Sequence, residues 1–179
     1  MALPPKTAQR IALLWGVGGV IALCLKAVIS LFPKVLEALE HELSIGQIAA
    51  GGLWVLFMAV MEGYRGFQQR FSPRVVRRGH WLGQNPTPGR LLLAPLFCMG
   101  LIGATRKRMI GSWALLCGIT VLVGIVGQIP QPWRGLVDAG VVVGLSWGMA
   151  SIIAWQIALA RGREPDISLD LPAGEESER

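Results

Sequence analysis

The sequence predicts an all-α integral membrane protein. It reads as a bundle of four transmembrane helices plus one short re-entrant or interfacial apolar segment. Three observations carry this. Hydrophobic residues are 53% of the 179-residue chain, and mean hydropathy is +0.52. Charged residues are only 16%, against about 25% in soluble domains. Four apolar runs approach or exceed the length of about 20 helical residues that a hydrocarbon core requires. A soluble fold of this composition would expose too much apolar surface. The composition therefore argues against a soluble enzyme, a disulfide-stapled secreted domain and a disordered chain.

The first span is Ile11 to Phe32, interrupted only by Lys26. Lys6 and Arg10 precede it as in a signal peptide, but no small-x-small cleavage site follows, so it is read as a permanent anchor. The second span, Ile45 to Met61, is 17 residues and at the short limit. The third, Ile110 to Gln128, stops just before Pro130, and the fourth, Ala139 to Ala160, holds no charge. Leu91 to Thr105 is different. Its 15 residues contain Pro95 and would reach only about 22 Å as a helix. That suits a dip into one leaflet; the alternative is a fifth span kinked at Pro95.

Charge tests the count independently, because cytoplasmic loops carry excess Lys and Arg. With four spans and both termini inside, fourteen of the seventeen basic residues share the cytoplasmic side. Lys34 and Arg134 face out, and Lys26 lies within a span. A fifth crossing would strand one basic cluster outside. The expected organisation is a membrane domain over 1–160, with a basic cytoplasmic loop at 62–90, and a disordered acidic cytoplasmic tail at 161–179. The expected location is a bacterial inner (plasma) membrane.

Helix association in lipid favours small residues that let backbones approach. Gly140, Gly144 and Gly148 form such a stripe on the last span, and Ser146, Ala150, Ala154 and Ala158 form a second. The glycine stripe serves either packing within the chain or homodimerisation. Cys24, Cys98 and Cys117 show neither disulfide nor metal spacing and read as small core residues.

Three features could carry function. Lys26 is the one charge well inside a span, which makes it a candidate polar site or a side chain that snorkels. In the 62–90 loop, Tyr64, Phe67, Phe71 and Val75 recur at helical spacing beside Arg70, Arg74 and Arg77. An apolar stripe flanked by arginines suits a headgroup plane, so Arg65, Arg70, Arg74, Arg77 and Arg78 are the expected contacts to anionic lipid or a protein partner. Ser72-Pro73 predicts the start of a separate short helix. Glu37 and His41 have metal-like spacing but no third ligand, so no metal, cofactor or catalytic residue is assigned. Nucleic acid is not an expected partner. The leading expectation is a non-enzymatic accessory or scaffold protein touching anionic lipid, a membrane partner or a second copy. The alternatives are a small oligomeric transporter or channel using Lys26, and a lipid-phosphate enzyme.

Overall fold

The computed structural model describes residues 5–172. It is all-helical, with no strand among the described residues, and four of its helices are long and apolar enough to cross a membrane. Helix α1 covers residues 5–39, with a π-helical stretch at Ala12–Val17. Helix α2 is Ile45–Gln84. The short helices α3 (Pro88–Leu92) and α4 (Ala94–Cys98) follow, then the long helices α5 (Arg106–Val126) and α6 (Trp133–Ala160).

Helix α2 begins on a reciprocal cap. The Ser44 hydroxyl accepts from the Gln47 N–H, and the Gln47 side chain accepts from the Ser44 N–H. The helix then runs for 40 residues, well past Met61. The expected loop at 62–90 is therefore helix as far as Gln84, and no new helix starts at Ser72-Pro73. Residues Ala59–Phe71 are π-helical and deliver Pro73 in line. In that register Pro73 would return an N–H to the Gln68 carbonyl, and proline has none. The Trp155 indole of α6 donates to that carbonyl instead, at 3.2 Å. Helix α1 likewise continues through Pro33 to Leu39, and a Lys34–Glu37 ion pair at 3.0 Å braces its last turns. Helix α6 ends on Gly162 at φ +79°, a left-handed cap that returns the Gly162 and Arg163 N–H groups to the Leu159 and Ala158 carbonyls.

Helix α6 packs along α1 and α2. Burial is uneven along this bundle. Large apolar side chains such as Ile29, Phe32, Leu53, Leu56, Leu122 and Ile153 face outward, the arrangement lipid permits. At the end holding Gln84 and Arg106 the pattern inverts. Val75, Val76, Leu82, Phe97, Leu169 and Leu171 are buried there in two adjoining clusters. We call this the arginine-rich end.

Residues 91–105 form no spanning helix. The backbone breaks at Leu93 and again after Cys98. Helix α4 lies across the end of the π-helical stretch of α1 and the turn that follows it, where Gly16 and Gly19 leave room for Ala94, Pro95 and Cys98, and the Trp15 indole donates to the Leu92 carbonyl at 3.0 Å. The tail is also more ordered than its composition suggests. Leu169 and Leu171 are buried, and the Thr105 N–H donates to the Asp170 carbonyl at 2.7 Å. Its acids and prolines hid two leucines that close the core. Residues 173–179 of the expected disordered tail lie outside the described residues.

Helix α5 is the exception to the bundle. None of its residues is buried, and among the described residues it packs along no other helix. It is held near its start by Ser112 donating to the Met99 carbonyl at 3.3 Å and the Trp113 indole donating to Leu101 at 3.0 Å. At its far end Arg134 donates to the Gly127 carbonyl at 3.2 Å.

Candidate functional site

The arginines predicted to face lipid do not act as one set. Arg78 is wholly buried. Its guanidinium donates to four carbonyls: Phe97 at 2.7 Å, Leu169 at 2.6 Å, Ile102 at 3.0 Å and Gly103 at 2.7 Å. Its Cζ sits 4.2 Å from the Phe97 ring centroid. A planar fork with five donors suits several acceptors arranged around it, which a lysine ammonium could not match. Gly103 makes this possible: its φ is +58°, and a Cβ there would come within 2.8 Å of the Phe97 ring. Arg78 thus ties together α2, α4, the following turn and the tail. It is a structural anchor, and the expectation of lipid or partner contact fails for it.

Arg77 and Arg74 are also engaged. Arg77 donates to the Ile167 carbonyl, and Arg74 pairs with Asp170 at 3.3 Å. Only Arg65 and Arg70 of the expected five are exposed. The apolar stripe divides similarly. Val75 is buried and Phe67 and Phe71 are half-buried against the chain's own helices, while Tyr64 is exposed. The stripe meets protein, not a headgroup plane, because α2 does not stop where its apolar run stops.

Lys26 lies exposed on α1. Two acids that could have met it are engaged elsewhere: Glu37 pairs with Lys34, and the buried Asp138 lies 3.9 Å from Arg134. A lysine on an outward face can extend its stem toward the membrane surface. Lys26→Leu is therefore expected to change unfolding free energy by no more than about 0.5 kcal/mol, the range of a surface substitution. Denaturant titration in detergent checks this; a larger loss would mean that Lys26 has a partner.

Gly140, Gly144 and Gly148 all face α2. A Cβ on each would meet Trp54, Glu62 and Phe67 respectively. The stripe is spent within the chain, which removes it as a dimer surface. Trp54 also donates to the Val137 carbonyl at 3.0 Å, and Trp147 to the Gln68 side chain at 2.8 Å. Sequence reasoning placed Glu62 at the edge of a span. The continuation of α2 puts it inside the bundle, with its Oε2 buried and lacking a hydrogen-bond partner among the described residues. The phase of Phe67, Phe71 and Val75, continuous with α2, was the signal that could have located it.

One groove runs along the outer side of α6. It encloses about 860 Å³ and is lined by Val143, Ser146, Ala150, Ala154 and Ala158 among others, with Gln68, Trp147 and Trp155 on one wall and Arg163 at the end. This is the second small-residue stripe. Ser151 also lines it; that residue is 6% exposed, and its buried Oγ has no hydrogen-bond partner among the described residues. Among the described residues no group of His, Cys, Asp and Glu is placed to hold a metal ion. Compared with models of known protein families, with curated proteins and with solved structures, the chain finds no match.

Proposed function

We propose that the protein is a non-enzymatic accessory or scaffold component of a bacterial inner (plasma) membrane, with both termini cytoplasmic, and that it engages another membrane protein or a second copy through α5. The observation that carries this is α5 itself, a 21-residue apolar helix with no buried residue. Apart from the hydrogen bonds near its two ends, its surface is left open for an interaction outside the bundle. Gly111, Gly118 and Gly124 support the reading. A Cβ on any of them would meet nothing, and small residues are what helix pairing in lipid uses.

The orientation rests on charge. The arginine-rich end gathers the start of α1, the end of α2 and the tail: Gly83 lies against Gln9, and Thr105 bonds to Asp170. An excess of Lys and Arg on one side is the cytoplasmic mark. Arg65 and Arg70 then remain for anionic headgroups, each contributing about 1 kcal/mol near the surface. The transporter reading loses its residue, since Lys26 points away from the bundle. A lipid-phosphate enzyme would need an acid and a base gathered with the arginines around one pocket, but Glu62 and His80 stand 18 residues apart on α2, about 27 Å along the helix.

Purification of the full chain from its native membrane in mild detergent tests the proposal. The expected result is a complex larger than one chain that Gly118→Leu, on the open face of α5, disrupts without unfolding the monomer. A single chain with no companion, unchanged by Gly118→Leu, contradicts it.

A further inference from the structure

We propose that the arginine-rich end holds a binding site for a phosphate group, formed by Arg74 of α2 and Arg108 of α5, and that the Asp170 carboxylate of the tail occupies this site in the structure. The inference goes beyond the scaffold reading and does not depend on what α5 meets.

Three guanidiniums share one carboxylate here. Arg74 pairs with Asp170 at 3.3 Å. Arg108 stands within electrostatic reach of both, and Arg78 within reach of all three. Arg78 is committed to backbone carbonyls and adds its charge to the site. Arg108 is different. Among the described residues it donates no hydrogen bond and joins no ion pair, and its Nε is buried without a partner. The side chain lies close over Gly100, whose φ is +75° and where a Cβ would come within 3.3 Å of that Nε. Like charges drawn together in a partly buried place repel unless an anion offsets them. One carboxylate against three cations leaves the offset incomplete.

Asp170 also fits its place only in part. Its contact with the Arg74 Nε is an ion pair without hydrogen-bond geometry, since that Nε has no hydrogen-bond partner among the described residues. A carboxylate brings one charge and two oxygens in a plane. A phosphate monoester brings a charge of about −1.5 to −2 and three acceptor oxygens. Its tetrahedral oxygens can accept from guanidiniums on two helices at once, in the forked, charge-assisted pairing that arginine favours.

The site can be entered and vacated. The Arg74 and Asp170 side chains are 17% and 27% exposed, so a ligand reaches them from outside. The tail does not depend on the carboxylate. The Thr105 N–H donates to the Asp170 carbonyl at 2.7 Å, and Leu169 and Leu171 on either side are buried. The Asp170 side chain can therefore yield Arg74 to a phosphate while the tail stays in place. A lipid headgroup and a soluble phosphate share this chemistry.

Calorimetric titration of the full-length protein in a non-ionic detergent, at fixed ionic strength, tests the proposal. One arm uses inorganic phosphate; the other uses micelles doped with phosphatidic acid. The parent is expected to bind at least one probe saturably. Binding of phosphatidic acid alone assigns a headgroup, binding of inorganic phosphate that phosphatidic acid does not displace assigns a soluble ligand, and mutual displacement assigns a site open to both. Arg108→Gln is expected to weaken binding by about tenfold or more, the worth of a charge-assisted hydrogen bond. Asp170→Asn is expected to tighten it severalfold, and asparagine tolerates the left-handed φ of +51° at that position. A misfolded protein would not bind more tightly, so this arm stands even if Arg108→Gln fails to fold. Lys107→Gln removes an exposed charge from the same turn of α5 and should leave binding nearly unchanged. The proposal is overturned if the parent binds neither probe saturably, if Arg108→Gln and Lys107→Gln lose binding equally, or if Asp170→Asn binds no more tightly than the parent.

Discussion

Arg78→Met is expected to destabilise the protein by at least about 3 kcal/mol, because it leaves buried carbonyls without donors and each such loss costs about 1–3 kcal/mol. Four carbonyls depend on this one side chain: those of Phe97, Ile102, Gly103 and Leu169. They belong to segments that do not otherwise form a regular element together. Methionine fills much of the volume and donates nothing. Arg78→Lys is expected to fail as well, since one ammonium on a flexible stem cannot reach acceptors spread around a plane. Denaturant unfolding in detergent gives the stability. Limited proteolysis gives the location: the variants should be cut within residues 161–172 under conditions that leave the parent intact. Unchanged midpoints and an intact tail in Arg78→Met would show that the guanidinium is incidental to the fold.

Gly148→Val is expected to cost about 1–3 kcal/mol, the range for forcing extra carbon into a packed interface, and to sit at the top of it. A Cβ at that position falls on the Phe67 ring. Phe67 has little room to yield, because it packs edge-on to Phe71 at 5.2 Å between centroids. The neighbouring Ser72 hydroxyl, which donates to the Gly148 carbonyl at 3.4 Å, would be pushed away too. The double variant Gly148→Val with Phe67→Ala should recover much of the loss, since the second change removes the obstacle. A thermal-unfolding comparison of the parent, the two single variants and the double checks this. Additive losses would place the two residues out of contact.

The four helices long and apolar enough to span a membrane were legible because they are written in length and hydropathy, which act residue by residue. The glycine stripe was legible for the same local reason: spacing by four puts small residues on one helix face. What escaped the sequence depended on partners far along the chain. Arg78 sits among five arginines that look alike, and its acceptors lie 19 to 91 residues away. The length of α2 was hidden by Pro73, whose local signature is a helix start. Only the Trp155 indole, 87 residues beyond the Gln68 carbonyl it donates to, shows why the helix can continue. Leu169 and Leu171 were masked by the acids around them. Glu62 was misplaced because the apolar run, not the helix, was taken to define the span.

The central claim is that residues 88–104 stay with the arginine-rich end and do not cross the bilayer, so that the basic segments on either side share one compartment. Labelling of Asn85→Cys, Lys107→Cys and His41→Cys with a membrane-impermeant maleimide, in intact and in permeabilised cells, tests it most directly. His41→Cys should be labelled in intact cells above the signal of the parent chain, and Asn85→Cys and Lys107→Cys only after permeabilisation. Labelling of residues 85 and 107 from opposite sides would contradict the four-span arrangement and the placement of every arginine built on it.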